Sequence, residues 1–272
     1  MTYFGFLLRF LVVPIFLLLF VNWREKEKLT FGFNDNKVWR GILIHILLAV
    51  VYTTPWDNYL VATGVWYYNP ELVTGIIFGY VPLEEYTFFV LETVMIGLWW
   101  WTLARRKTFL PKTRFTPNKS LRAWTLGLLT MVWAISLSVL LSDWKPGTYL
   151  AITLTWALPA IAPQLAFGAD ILWHYRRLLG MVILTGAGYL SAMDALAISS
   201  GTWTIDPTQS TGILIGNLPI EEAVFFAITV VLVSFGMTLL LAEVSQGRLG
   251  EFQSLLERLR GRGSTSVRDS GA

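Results

Sequence analysis

The sequence predicts an all-α integral membrane protein of about seven transmembrane helices, arranged as two parallel three-helix repeats joined by a connector helix. Three observations carry that fold class. Apolar residues come in blocks of about twenty, the length that crosses a hydrocarbon core. Charged residues make up only 14% of the 272, and the mean hydropathy is +0.56, whereas a soluble domain is about a quarter charged. One polar pattern is written twice: Gly79-Tyr-Val-Pro82-Leu-Glu84-Glu85-Tyr-Thr-Phe88-Phe89, then Gly216-Asn-Leu-Pro219-Ile-Glu221-Glu222-Ala-Val-Phe225-Phe226.

The seven spans are predicted at Tyr3–Val21, Val38–Trp56, Leu72–Leu103, Leu121–Leu141, Thr148–Phe167, Leu178–Ile198 and Thr211–Leu241. The first lacks a basic start and a small-residue cleavage pattern, so it reads as an anchor. Basic residues fall in alternate connections: Arg24 to Arg40, Arg105 to Arg122, Arg176 with Arg177, and the tail from Arg248. The other connections hold one basic residue, Lys145. The positive-inside rule then predicts a multi-pass cell-membrane protein with its N-terminus outside and its C-terminus in the cytoplasm. Apolar residues at helical spacing in 248–260 suit a surface-lying helix or a solvated helix end, and the Gly- and Ser-rich sequence from Gly261 suits disorder.

A shift of 137 residues aligns the halves without a gap. Tyr52, Asp57, Gly64 and Trp66 meet Tyr189, Asp194, Gly201 and Trp203; the Pro-x-Glu-Glu motifs follow in the same register. Matches on Asp, Gly, Trp, Pro and Glu are not what apolar low complexity produces, so duplication is the reading. The division is a first repeat at 1–107, a connector at 108–145, a second repeat at 146–245 and a tail at 246–272. Four spans separate corresponding helices, so the copies run parallel and both motifs sit at one depth, toward the outer side.

Ionisable groups inside a span are functional-site candidates by default. A single helix over Leu72–Leu103 would be roughly 48 Å long, against a core of about 30 Å. A break at Gly79 and Pro82 is therefore predicted, with Glu84 and Glu85 in the first turn of a second segment. Glu85, Phe89 and Glu92 share one face, as do Glu222, Phe226 and Thr229, which favours Glu85 and Glu222 as pocket-facing. Glu84 and Glu221 fall to capping the broken backbone or to the catalytic set, and Glu92 has no acidic counterpart. Phe88, Phe89, Phe225 and Phe226 suit packing or the lining of an oily pocket. Asp57 and Asp194 end their spans, where they suit capping, loop anchoring or catalysis. Trp66 and Trp203, like Trp99, Trp100 and Trp101, fall near span ends and suit the interfacial aromatic belt. His45 and His174 are unduplicated and read as incidental.

Composition also excludes chemistry. Without cysteine there is no disulfide, thiolate nucleophile or cysteine metal site, and two histidines make a histidine metal centre a poor reading. Spans three and seven carry no lysine for a retinal Schiff base. No Asp-Asp-x-x-Asp run exists for magnesium diphosphate chemistry, and Gly186-Ala-Gly188 is not a dinucleotide fingerprint. No cofactor, metal or nucleic acid is expected.

Tyr52-Thr-Thr-Pro-Trp-Asp57, Gly64-Val-Trp66 and the doubled Pro-x-Glu-Glu-x-x-Phe-Phe resemble the non-flavin lycopene cyclases, over about residues 3–240. The resemblance implies a cofactor-free membrane enzyme that closes the ends of lycopene into β-ionone rings by acid–base chemistry. On it, Glu84, Glu85, Glu92, Glu221 and Glu222 form the catalytic set. The substrate-binding set is Phe88, Phe89, Phe225, Phe226, Asp57, Asp194, Trp66 and Trp203. It implies lycopene in the bilayer as partner, with other carotenoid-pathway enzymes nearby, and one composite site between the halves. The competing readings are a C50 carotenoid cyclase, a carotenoid hydratase, and a non-enzymatic proton-coupled transporter or carotenoid-binding membrane protein.

Overall fold

The computed structural model describes residues 1–25, 29, 32–34 and 37–250. Seven helices among them are long and apolar enough to cross a membrane. They are α1 (Tyr3–Arg24), α2 (Val38–Ala62), α3 (Leu83–Ala104), α4 (Lys119–Leu141), α5 (Thr148–His174), α6 (Arg176–Ser199) and α7 (Ile220–Leu241). This is the all-α membrane class the sequence predicts. Thr2 caps α1 and Asn118 caps α4 through their side-chain oxygens. A widened turn at Leu8–Val12 precedes Pro14, and α5 kinks at Gly168 beyond Pro159 and Pro163. α3 is the most enclosed span and α4 the least, with 67% and 6% of their windows buried. The connector therefore runs along the outside, packed chiefly on α5.

Two predicted boundaries are corrected. Spans three and seven are not broken helices. The residues before Pro82 and Pro219 form β-hairpins, β2 (Ile77–Phe78) with β3 (Val81–Pro82) and β5 (Leu214–Ile215) with β6 (Leu218–Pro219). Each turns on a glycine with positive φ, Gly79 at +69° and Gly216 at +66°, at the first central position that a type II′ turn reserves for glycine. Helix starts only after the proline, which lacks an N–H and suits a helix entry. Span two, in turn, runs on to Ala62, while span six ends at Ser199, within one residue of its predicted end, so both Asp57 and Asp194 lie inside helices rather than at their ends.

The loops at this end join the halves. β1 (Trp66–Tyr68) pairs antiparallel with β4 (Trp203–Ile205), in the register Trp66↔Ile205, Tyr67↔Thr204 and Tyr68↔Trp203. Backbone bonds extend the ribbon at both ends, from Asn69 N to Thr202 O at 3.2 Å and from Asp206 N to Val65 O at 2.8 Å. These two bonds exchange under the 137-residue shift. α1 and α5 are fastened alike, Tyr3 N to Leu72 O at 2.8 Å and Tyr149 N to Gln209 O at 3.0 Å. Between α3 and α7 the Thr229 hydroxyl donates to Glu92 Oε1 at 2.6 Å, a bond between residues 137 apart.

At the opposite end Arg248 donates to both oxygens of Asp170, at 2.9 and 2.7 Å, and to Phe167 O. Residues 243–250 are helical, so the start of the tail is pinned against α5. The predicted amphipathic and disordered parts of the tail beyond residue 250 lie outside the described residues.

Candidate active site

The hairpins deliver both acidic motifs to the first turns of α3 and α7, side by side in the core. Glu84 and Glu221 are fully buried and turn back to their own loops. Glu84 Oε1 accepts from Thr74 N at 2.6 Å; Glu221 Oε1 accepts from Thr211 N at 2.6 Å and from its hydroxyl at 2.7 Å. They lock the segment before each hairpin.

Glu85 and Glu222 point the other way. Both line one cavity of about 30 Å³, together with Asp194, Phe88, Phe225 and Phe226. That is room for about one water molecule, so the site is small and nearly filled by its own side chains. Each glutamate takes a hydrogen bond from a tyrosine on another helix: the Tyr3 hydroxyl donates to Glu85 Oε2 at 2.5 Å, and that of Tyr149 to Glu222 Oε1 at 2.6 Å. Both tyrosines are inaccessible to solvent. Asp57 lies beside Glu85, and Asp194 beside Glu222.

Trp66 and Trp203 are corrected from belt to site. The ribbon β1–β4 carries both rings inward, 7% and 9% exposed, and they line the same cavity. Trp203 Nε1 donates to Asp194 Oδ1 at 2.9 Å. Its equivalent Trp66 faces Asp57, whose two oxygens have no hydrogen-bond partner although the residue is fully buried. Tyr3 packs on Trp203 and Tyr149 on Trp66, with ring centroids 4.9 and 5.4 Å apart. Tyr68, stacked on Tyr3, closes the Glu85 side; its phenol, in the loop outside the spans, titrates well above the ordinary tyrosine range because it is buried beside carboxyls. Trp100 also leaves the predicted belt: it is fully buried and donates to the Thr238 hydroxyl at 2.9 Å.

Phe89 and Glu92 do not line the cavity. They face a larger groove of about 410 Å³ between α2, α5 and α7, where His45, Thr229 and Phe225 also appear. His45 is thus no incidental residue. Its Nδ1 is 2.8 Å from Gly41 O, and its ring occupies the space a side chain at Gly236 would need. Phe88 and Phe226 meet edge to face with centroids 6.2 Å apart, joining the two motifs.

Sequence reasoning missed Tyr3 and Tyr149. They are equivalent, but at a separation of 146 rather than 137, because nine more residues separate Tyr3 from Asp57 in the first half than Tyr149 from Asp194 in the second, the connection after α1 being longer than the one after α5. The wider spacing recurs where Tyr52 donates to Trp156 O at 2.7 Å and Tyr189 to Phe10 O at 2.8 Å. Comparing α1 with α5 on their own would have revealed it.

Seven apolar helices closing over paired carboxyls and aromatic rings, beside an oily groove, define an all-α integral membrane protein. Among known families, the profile described as lycopene cyclase matches residues 1–102 and 118–241. The chain is 39% identical over 199 residues to a lycopene beta-cyclase of Halobacterium salinarum, covering 73% of this chain and 81% of that one. It is 33% identical over 199 residues to a bifunctional lycopene cyclase/phytoene synthase of Podospora anserina, and 34% over 207 residues to one of Colletotrichum graminicola. These alignments cover 71% and 72% of this chain and about a third of the fungal proteins. No solved structure matches the chain. The protein belongs to the lycopene cyclase family.

Proposed function

We propose that the protein is a lycopene β-cyclase, converting the open ends of lycopene into β-ionone rings, to β-carotene through a one-ringed intermediate. The observation that carries this reading is that Glu85 and Glu222 meet in one aromatic cavity, in a chain of the lycopene cyclase family. Substrate and product are isomers, so the reaction needs no electrons and no water. A carboxyl protonates the terminal double bond, and the resulting tertiary cation is attacked by the neighbouring double bond, closing a six-membered ring. A carboxylate then removes a ring proton, regenerating the double bond and returning the proton borrowed at the start.

Glu85 and Glu222 act as the acid–base pair, each positioned by its tyrosine. Phe88, Phe225, Phe226, Trp66 and Trp203 present ring faces and edges to the cation, an attraction of about 2 kcal/mol or more when desolvated. Asp57 and Asp194 support the pair, and Glu84 and Glu221 hold the loops. Exclusion of water keeps the cation from being trapped as an alcohol, which favours cyclase over hydratase. The two halves, divided at about residues 107 and 145, share this one composite site and treat the substrate ends in turn. The loop charges orient the N-terminus outward and the C-terminus to the cytoplasm, which puts the site toward the outer leaflet. Lycopene arrives within the bilayer, from enzymes acting on the same hydrocarbon.

The test is expression in lycopene-accumulating cells, with products read by chromatography. Two-ringed isomer is the expected result, lost in Glu85→Gln and Glu222→Gln at unchanged protein level. Unchanged lycopene with the wild-type chain, or full turnover by both variants, overturns the reading.

A further inference from the structure

The large groove has a counterpart. Under the same pseudo-symmetry the wall formed by Ala49, Tyr52 and Val233 maps onto Gly186, Tyr189 and Ile96. Those residues line a second groove, of about 310 Å³, between α1, α3 and α6. The two differ at their inner ends. The first reaches Glu92, Phe89 and Phe225, and Phe225 also lines the acidic cavity, so one ring separates groove from acid. The second reaches none of the residues of the acidic cavity. Where the first has His45, Thr53 and Thr93, the second has Val182, Leu190 and Val230, all three fully buried. Packing there is so close that a Cβ on Gly186 would sit 3.1 Å from Ile96 and 3.3 Å from Val230.

Three rings that line the open groove, Tyr52, Trp156 and Phe225, belong to one stacked run that the buried Trp56 completes. Tyr52, 41% exposed at the bilayer-facing edge, stacks on Trp156 at 5.7 Å. Trp156 stacks on Trp56 at 4.4 Å, and Trp56 on Phe225 at 5.4 Å with planes 9° apart. The corresponding residues beyond the closed groove are Phe10, Met193 and Phe88, and no such run of stacked rings is found among the described residues there. The stack gives this wall of the groove a continuous row of ring edges, against which a long apolar chain packs.

The geometry points to a single lipid-side entrance for the polyene: the groove between α2, α3, α5 and α7 admits one end of the substrate past Phe225, while its counterpart between α1, α3 and α6 is closed at its inner end, short of the acidic cavity. This rests on the proposed cyclase reading and adds the route. Because the site has one entrance, a substrate with two ends leaves and turns around between ring closures. The one-ringed product therefore appears free, before the two-ringed one.

The chain has no cysteine, so single thiols report cleanly on each groove. Ala49→Cys and Ala160→Cys mark the open groove, Leu17→Cys and Leu18→Cys the closed one. The full-length protein is placed in phosphatidylcholine nanodiscs and treated with a membrane-permeant thiol reagent, with and without lycopene. Lycopene is expected to slow labelling at 49 and 160 at least fivefold and to leave 17 and 18 within twofold. Equal protection of both grooves, or none at 49 and 160 in protein that forms β-rings, overturns the single entrance. Protection at 49 and 160 in protein that forms no rings upholds the entrance and overturns the cyclase reading instead. A time course in which two-ringed product forms from the start, without free one-ringed product, also overturns the single entrance.

Discussion

Replacing Tyr149 or Tyr3 with phenylalanine removes one oxygen and nothing else from a closed site. The hydroxyl of Tyr149 is 2.6 Å from Glu222 and that of Tyr3 2.5 Å from Glu85, both rings inaccessible to solvent. Leaving a buried acceptor without its donor costs about 1–3 kcal/mol, or roughly five- to a hundredfold in rate if the bond is needed at the transition state. Each single variant is therefore expected to lower the initial rate of ring formation by roughly that factor, with membrane yield unchanged. Measuring the rate in nanodiscs with saturating lycopene isolates the chemical effect from delivery. The tyrosine and its glutamate act as a unit, so in thermal stability, which outlasts the loss of activity, adding Tyr3→Phe to Glu85→Gln costs less than the sum of the two single changes. Rates within twofold of wild type in both tyrosine variants, or fully additive losses, would refute the pairing of phenol and carboxyl.

Gly236→Ala sets a new Cβ 1.9 Å from His45 Nε2; overpacking of about 1–3 kcal/mol is expected as a lower melting temperature, relieved in the double variant with His45→Ala. Glu221→Gln weakens two short bonds to Thr211 and should lower stability by about 1–3 kcal/mol, read by thermal unfolding in detergent. Arg248→Ala strips the paired donors from Asp170 but leaves it the Asn118 N–H and Arg122 at 3.9 Å; the expected cost is about 1–3 kcal/mol, checked by the same melt. Pairing it with Asp170→Asn should recover part of that loss.

The spans were legible because the bilayer imposes a length and an alternation of charge that composition cannot hide. The doubled acidic motif was legible for the opposite reason: carboxyls stand out against an apolar background. What the sequence concealed was local backbone geometry. Gly79 and Pro82 were read as interrupting a helix, yet Ile76, Ile77 and Phe78 are as apolar as any span, so nothing in hydropathy marks them as a hairpin. Trp66 and Trp203 carry no label that separates a membrane-surface ring from one folded inward by a cross-half ribbon. Asp57 is placed at a span end only because its helix reads six residues short in hydropathy; the structure continues both helices five residues beyond Asp57 and Asp194. Tyr3 and Tyr149 were hidden by a change of spacing, since a gapless alignment cannot follow a repeat whose first helix is offset by nine residues.

The bond between Glu92 and Thr229 bears on how such a molecule could have arisen. The two residues occupy equivalent positions in the two halves and meet on the axis that relates them. In an assembly of two identical three-span chains, whatever stood at that place would face its own copy, so a glutamate would confront a glutamate in a dry interior. Joining the copies into one polypeptide, with α4 reversing direction so that both insert the same way, lets the two positions differ. One then supplies a carboxyl and the other the hydroxyl that satisfies it. The open groove and its closed twin are unequal on the same principle: fusion freed each half to specialise, and only one kept a door to the lipid.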